Sequence, residues 1–287
     1  LKRPSLAEAL QEATDELHRA GLERPEYDAR VLVAHVLNCG LNDVFLRSAV
    51  TLNPEEQSSL DHLTRLRAQR LPLQHVTGDV WFRGLHLRCD RRALIPRDET
   101  EQLVTAVLDR LPALDLRPAD LLVDVGCGSG AIALALAAGW TPQQVLATDI
   151  SPAALQLAAE NLERTGLQQR VTLLQGDYLE PVLQGPLARQ VAVVVSNPPY
   201  IRPADLPTLE PELVYEPALA LRAPSEDGLG AYRTLAAQAA QLSRLRLLAC
   251  EVGHDQAREV AALWRPLGEV EILLDYAGVE RFVIAHV

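Results

Sequence analysis

Asp124-Val125-Gly126-Cys127-Gly128-Ser129-Gly130 follows the apolar run 121–125 and leads into the alanine-rich stretch 131–138. An apolar strand that passes through glycines straight into a helix brings its backbone close to a ligand, because glycine allows both the sharp turn and the near approach. Alone the stretch is a moderate signal. Its G-x-G-x-G spacing differs from the dinucleotide fingerprint G-x-G-x-x-G, and glycine turns also serve plain packing.

Downstream the strand and helix pattern repeats. Strands are expected at 145–150, 171–174, 191–195 and 246–252, with helices at 152–164 and 254–264. The runs 270–274 and 282–285 are close enough in sequence to pair antiparallel at one edge. Continuous apolar strands alternating with helices indicate a parallel sheet covered on both faces, an α/β fold.

Upstream the periodicity is helical. Ser5-Leu6-Ala7-Glu8 is a capping box opening a helix to about Ala20. Pro25 starts a second helix with Ala29, Leu32, Val33 and Val36 on one stripe. Asn53-Pro54-Glu55-Glu56 starts a third that runs to about Gln69, with an N-cap side chain, proline at the first position and acids favoured by the helix dipole. From 74 to 90 the pattern changes to alternation, with Gly78 and Gly84 as turn signals, which predicts a β-hairpin. In the segment LIPRDET, 94–100, Asp98 reads as an N-cap and Glu101 as its capping-box partner. The expected organisation is a small N-terminal helical bundle at 1–72, a β-hairpin linker at 73–97 and a sheet domain at 98–287.

Composition bounds the function. The chain has 287 residues, enough for two domains at about 150 residues each. At 48% hydrophobic and 23% charged residues, without low-complexity tracts, it has the make-up of a globular protein. Its apolar runs fall far short of the roughly 20 residues that span a bilayer, and no signal peptide is visible, so no membrane contact and a cytoplasmic location are expected. Cys39, Cys89, Cys127 and Cys250 show no ligand spacing, which predicts free thiols and no metal. A net charge of −11 weighs against a protein that wraps nucleic acid phosphates, although Arg65, Arg67 and Arg70 leave room for a local basic patch. A monomer is expected.

The candidate site residues all follow strands. Asp149 ends the second strand about 20 residues after the glycines, where α/β folds hydrogen-bond a ribose; the plainer reading, a cap for the next helix, suits Ser151 better. Asp177 and Tyr178 end the third strand, where an acid can accept from an exocyclic amine and a ring can stack on adenine. The fourth runs into Ser196-Asn197-Pro198-Pro199-Tyr200. Two prolines fix the backbone and remove two donors. The Pro198 carbonyl and the Asn197 side-chain oxygen are then two acceptors beside a ring, a set suited to a planar –NH₂ on sp² carbon.

In this order D-x-G-x-G-x-G, strand-Asp, strand-Asp-aromatic and N-P-P-Y resemble class I (Rossmann-like) S-adenosylmethionine-dependent methyltransferases acting on amide or exocyclic amine nitrogen. More narrowly, the chain resembles the HemK/PrmC family, which methylates the glutamine of the Gly-Gly-Gln motif of peptide chain release factors. The residues carrying that likeness are Pro72 to Gly78, Phe82, Gly84-Leu85, LIPRDET, SNPPYI, Tyr215-Glu216-Pro217, Glu251-Val252-Gly253 and Gly278-Val279-Glu280-Arg281. Two places depart from the family pattern. Asp98 replaces the second proline of I-P-R-P-E-T, and Leu245-Arg246 replaces Gly-Gly before the fifth strand.

The resemblance implies S-adenosyl-L-methionine as cofactor, held by Gly126, Cys127, Gly128, Ser129, Gly130, Asp149, Asp177, Tyr178 and Asn197. It implies a protein-(glutamine-N5) methyltransferase in which Asn197, Pro198 and Tyr200 are catalytic and, with Pro199, bind the substrate glutamine. Arg97, Glu99 and Thr100 are candidates for the site's mouth, and the helical bundle for gripping the release factor. Two other enzymes remain open: a ribosomal-protein glutamine methyltransferase, which shares the motif, and a nucleic-acid exocyclic-amine methyltransferase, which would stack a flipped base on Tyr200. The net charge weighs against the latter, and no nucleic-acid substrate is expected. A cofactor-binding adaptor without activity would not need N-P-P-Y.

Overall fold

The computed structural model describes residues 5–46, 50–141 and 144–287; 1–4, 47–49 and 142–143 lie outside the described residues. The chain divides into two compact units, Leu1–Gly78 with Glu210–Tyr215, and Asp79–Leu209 with Glu216–Val287.

The first unit is helical: α1 (Leu6–Arg19), α2 (Pro25–Val36), α3 (Leu41–Leu46), α4 (Pro54–Ala68) and α5 (Leu73–Thr77). Both capping boxes form. The Glu8 carboxylate accepts from Ser5 N at 2.6 Å, and Asn53 Oδ1 accepts from the amides of Glu55 and Glu56 at 2.9 Å. Leu6, Leu17, Leu32 and Leu60 form the centre of its core. The short segment Pro211–Tyr215 belongs here too. Glu212 accepts from Arg67 at 3.1 Å and Arg70 at 2.9 Å, Arg67 also holds Asp28 at 2.7 Å, and Tyr215 Oη donates to the Gln69 carbonyl. Two arginines of the expected basic patch are thus neutralised by carboxylates.

The expected hairpin is shorter than its sequence pattern. Residues 73–77 are helical, because Pro72 opens the turn and Gly78, at φ 79°, closes it in the left-handed region. His75 and Val76 are therefore helix, not strand. Strands β1 (Asp79–Phe82) and β2 (Leu85–Arg88) pair antiparallel, and Phe82 and Leu87 lie in the core of the second unit. The two compact units divide after Gly78.

In the second unit α6 (Asp98–Arg110) begins one residue earlier than its caps suggest. Arg97 is the N-cap residue, with extended backbone and no side-chain cap; Asp98 sits in the first turn, and Glu101 accepts from Arg83 N at 2.6 Å instead of closing a box. Then follow β3 (Leu121–Val125), α7 (Ala131–Gly139), β4 (Gln144–Asp149), α8 (Pro152–Thr165), β5 (Val171–Gln175), α9 (Glu180–Leu183), β6 (Val191–Ser196), α10 (Ala218–Leu221), α11 (Gly230–Ala239), β7 (Leu247–Glu251), α12 (Ala257–Trp264), β8 (Glu269–Leu274) and β9 (Glu280–His286). The sheet order is β5-β4-β3-β6-β7-β9-β8, parallel from β5 to β7 and antiparallel through β9 and β8.

Each inner strand is apolar on both sides because each side is covered. Along β6, Val193 and Val195 join the core with α6, α7 and α8, while Val194 joins the opposite core with α11 and α12, where Tyr232 and Trp264 are fully buried. All four cysteines are free thiols, and three are buried. No helix among the described residues is long and apolar enough to cross a membrane.

Asn161 of α8 fastens the hairpin to the sheet. Fully buried, its Oδ1 accepts from Arg88 N at 2.6 Å and its Nδ2 donates to the carbonyls of Arg88 at 3.1 Å and Ser129 at 3.0 Å. Asn161→Leu takes the side-chain partner from three backbone groups, the two of Arg88 part-buried and the Ser129 carbonyl buried, and is expected to lower unfolding stability by about 2–4 kcal/mol. Urea denaturation checks this, and an unchanged midpoint would count against it.

Candidate active site

β3 and β6 are neighbours, yet the chain leaves β3 towards β4 on one side and returns through β6 on the other. At such a switch point the connections diverge and leave a crevice beyond the carboxyl ends of the strands. Val125 pairs with Ser196, so the glycine loop and the asparagine-proline segment leave the sheet side by side. Ser196 Oγ donates to the Val125 carbonyl at 2.7 Å across this edge.

The loop is bound into its shape. The amides of Gly126 and Cys127 both donate to the Thr148 carbonyl at 2.9 Å, and Gly128 N donates to Asp149 Oδ2 at 2.8 Å. Gly126, Gly128 and Gly130 all have left-handed φ, from 55° to 84°. Their surroundings differ. A Cβ on Gly130 would stand 3.3 Å from Ala158 Cβ, whereas one on Gly126 would meet nothing within 4 Å. Gly130 is therefore needed for turn and packing, Gly126 for turn and open space.

Asp149 accepts at both oxygens, from Gly128 and from Ser151 N at 2.8 Å, while Ser151 Oγ caps α8 through Ala154 N. Each oxygen keeps a further lone pair for a hydroxyl donor. Burial raises the Asp149 carboxyl above its ordinary range, against the pull of the Ser151, Gly128 and Ile150 amides. Burial acts more strongly on Asp124, pushing it up to about 8; its Oδ2 accepts from Ala133 N at 3.0 Å, but its buried Oδ1 has no partner among the described residues. The Cys127 thiol is likewise raised by burial, so it stays protonated.

A cavity of about 630 Å³ opens over these strand ends, a size suited to a nucleoside-like ligand. Gly126, Cys127, Gly128, Ser129 and Asp149 line it, as do Asp177 and Tyr178. Tyr178 has a left-handed backbone, φ 46°, and Thr148 Oγ1 donates to its carbonyl at 2.8 Å. Burial, then the charge of Asp177, lifts its phenol to about 12. Asn197, Pro198 and Pro199 also line the cavity. No backbone donor pairs with the Pro198 carbonyl among the described residues.

Two expected site residues lie off this wall. Gly130 is behind it, at the start of α7. Tyr200 packs against the core on the α11 and α12 side, its carbonyl accepting from Gln256 Nε2 at 3.1 Å; burial, then the charge of Glu251, raises its phenol. Of the three mouth candidates only Thr100 lines the cavity. Arg97 pairs instead with Glu216, whose other oxygen accepts from Ile95 N at 2.8 Å. His254 lies in the turn before α12.

The sequence reading did not place the wall at 217–226, including Leu219 and Arg222. Its signal was the motif Tyr215-Glu216-Pro217, in which buried Glu216 ties that wall to the segment around Ile95. The bonds from Asn197 Nδ2 to Thr100 Oγ1 at 3.1 Å and from Thr100 Oγ1 to Glu251 Oε2 at 2.7 Å were also unforeseen.

Comparison with known proteins gives the family and the fold. Residues 8–78 match the PrmC N-terminal domain and residues 100–226 the methyltransferase small domain. The chain is 41% identical to the release factor glutamine methyltransferase of Deinococcus radiodurans and 42% identical to that of Moorella thermoacetica, covering 98% of this chain and 98% of the relative in each case. Among solved structures, the N-terminal domain of human METTL16 shares the fold, with a TM-score of 0.54 at 18% identity over 84% of this chain and 86% of that one.

Asp124 provides a test of the electrostatics. A carboxyl raised from its unfolded value to about 8 stabilises the fold fully below the unfolded pKa and loses that contribution as pH rises through about 8. Asp124→Asn does not titrate. Wild-type stability is therefore expected to fall by a few kcal/mol relative to the variant between about pH 4 and about pH 8, measured by denaturation at each pH. A pH-independent difference would mean that the carboxyl is ionised in the fold.

Proposed function

We propose, because the chain belongs to the family of release factor glutamine methyltransferases, that it transfers a methyl group to the side-chain amide nitrogen of the glutamine in the Gly-Gly-Gln motif of peptide chain release factors. The observation that carries this reading is the paired acceptors at the end of β6. Asn197 and Pro198 both border the cavity, and Asn197 Nδ2 is engaged by donating to Thr100 Oγ1. That arrangement suits a group with two N–H bonds on one planar nitrogen.

S-adenosyl-L-methionine fits the remainder of the cavity. Asp149 would offer lone pairs to the ribose hydroxyls, Asp177 and Tyr178, which line the cavity, would border the adenine, and the glycine loop beside Gly126 would take the methionine moiety. When bound, the cofactor supplies a methyl group on positively charged sulfur.

The chain's own contribution is orientation. An amide nitrogen is a poor nucleophile because its lone pair is delocalised into the carbonyl. On this reading Asn197 Oδ1 and the Pro198 carbonyl each accept one N–H of the substrate glutamine and hold the nitrogen facing the methyl donor. The methylated amide is acidic and loses its proton without a strong base, which agrees with the place of His254 outside the site. Tyr200, packed against the core beside the cavity wall, would act on the substrate amide through the turn it ends, whose last carbonyl Gln256 holds.

Asn197→Ala is expected to lower kcat by at least about 100-fold while cofactor affinity stays within about threefold. Radiolabelled methyl transfer to purified release factor, ribosomal protein and DNA checks the substrate. Label is expected in the release factor and absent from a version whose motif glutamine is replaced by glutamate. Label confined to ribosomal protein or to DNA would overturn the substrate assignment.

A further inference from the structure

The acceptor role of Asn197 requires its amide to be turned one way. An asparagine side chain presents an oxygen acceptor and a nitrogen donor of nearly equal shape, and a half-turn about its last bond exchanges them. With the oxygen towards the cavity, it accepts from a substrate amide. With the nitrogen there, two donors face one another.

Three side chains far apart in sequence meet behind that oxygen. Asn197 Nδ2 donates to Thr100 Oγ1 at 3.1 Å, and Thr100 Oγ1 donates to Glu251 Oε2 at 2.7 Å. Thr100 is 4% exposed and Glu251 2%, so water does not replace these partners. A hydroxyl has one hydrogen. Once that hydrogen is given to an ionised carboxylate, which only accepts, Thr100 has only lone pairs left for Asn197, and Asn197 has to offer its nitrogen.

We propose that Thr100 and Glu251 are positioning residues that fix the polarity of the Asn197 amide, the carboxylate of Glu251 orienting the Thr100 hydroxyl and the hydroxyl orienting Asn197 with its oxygen towards the substrate. This inference rests on the acceptor role given to Asn197 above. It assigns a task to the threonine and glutamate of two segments, LIPRDET and Glu251-Val252-Gly253, that do not adjoin the asparagine in sequence.

The arrangement reverses when Glu251 takes up a proton. The carboxylic acid then donates to Thr100, whose hydrogen is free to turn to Asn197, and the asparagine oxygen rotates inward to receive it. Several groups bear on that proton. Burial pushes Glu251 up to about 7; the bond from Thr100 opposes this, as do Arg281 of β9 and Arg97 before α6, while Glu99 of α6 reinforces it. The charge of Glu251 in turn helps raise the Tyr200 phenol and the neighbouring Cys250 thiol, and Tyr232 of α11 donates to the Glu251 backbone carbonyl at 3.2 Å. The protonated form is the misoriented one, so turnover rises with pH and levels off above the titration.

The experiment follows methyl transfer to purified release factor by the full chain, measuring kcat and KM from about pH 5.5 to about pH 8.5, with cofactor affinity by calorimetry. Thr100→Val is expected to lower kcat by about tenfold to 100-fold with cofactor affinity within about twofold, and Thr100→Ser to restore kcat to within about threefold. Glu251→Gln, whose amide can either donate or accept, is expected to lower the plateau and abolish the acid limb. Wild-type kcat in Thr100→Val, or an acid limb unchanged in Glu251→Gln, would overturn the inference. If Thr100→Val also loses cofactor binding through misfolding, Thr100→Ser and the Glu251→Gln profile still decide. Asn197→Ala separates the two layers: if it keeps turnover, the acceptor reading fails, whereas an inactive Asn197→Ala beside unaffected Thr100 and Glu251 variants defeats the positioning role alone.

Discussion

Two parallel strands, β3 and β6, lie side by side and end level, with Val125 opposite Ser196. Everything at the site depends on this alignment. The glycine loop leaves one strand and the asparagine-proline turn leaves the other, so two segments some 70 positions apart in the chain face a common crevice. The alignment holds because both strands are buried on both sides and every residue of β6 is inaccessible to water. A slip of one residue would exchange the two core faces of a strand that is apolar up to its last residue, and carry that residue, Ser196, away from the Val125 carbonyl.

Burial on both faces also sets the electrostatics. Strand ends that stop inside the protein place their polar residues in a low-dielectric setting, where a carboxylate ionises only with enough donors. Asp149 has the Gly128 and Ser151 amides, and Asp124 has Ala133 alone, which is why Asp124 is pushed up to about 8. Glu251, at the end of β7, has Thr100 and the nearby Arg281 and Arg97. The same sheet that aligns the loops thus tunes the acids standing at its edge.

Features that rest on local geometry could be read from the sequence. Ser5 and Asn53 announce their helices because a cap and its partner lie three residues apart, and the glycine loop is legible because left-handed φ favours glycine. Local signals misled where two readings share one alphabet. Residues 74–77 alternate well enough for a strand, but Pro72 and Gly78 enclose a single helical turn; Asp98 has the right residue types for a cap, but extended Arg97 occupies that place. The contacts among Thr100, Asn197 and Glu251 were not legible, since nothing in a linear pattern says which strand ends will be neighbours. Likeness to a family named the segments, and the fold shows what joins them.

The segment Glu210–Tyr215 leaves the sheet unit and comes back, contributing Glu212 to a carboxylate shared by Arg67 and Arg70 in the helical unit. The two units are therefore not beads on a string that recombination can cut once between. A helical unit exchanged with that of a relative would need to bring with it six residues encoded more than 130 positions downstream, or leave Arg70 without its counter-charge and Arg67 with Asp28 alone. Such discontinuity ties the history of the two units together: substitutions at Arg67 or Arg70 are constrained by a segment that lies in the midst of the catalytic half of the chain.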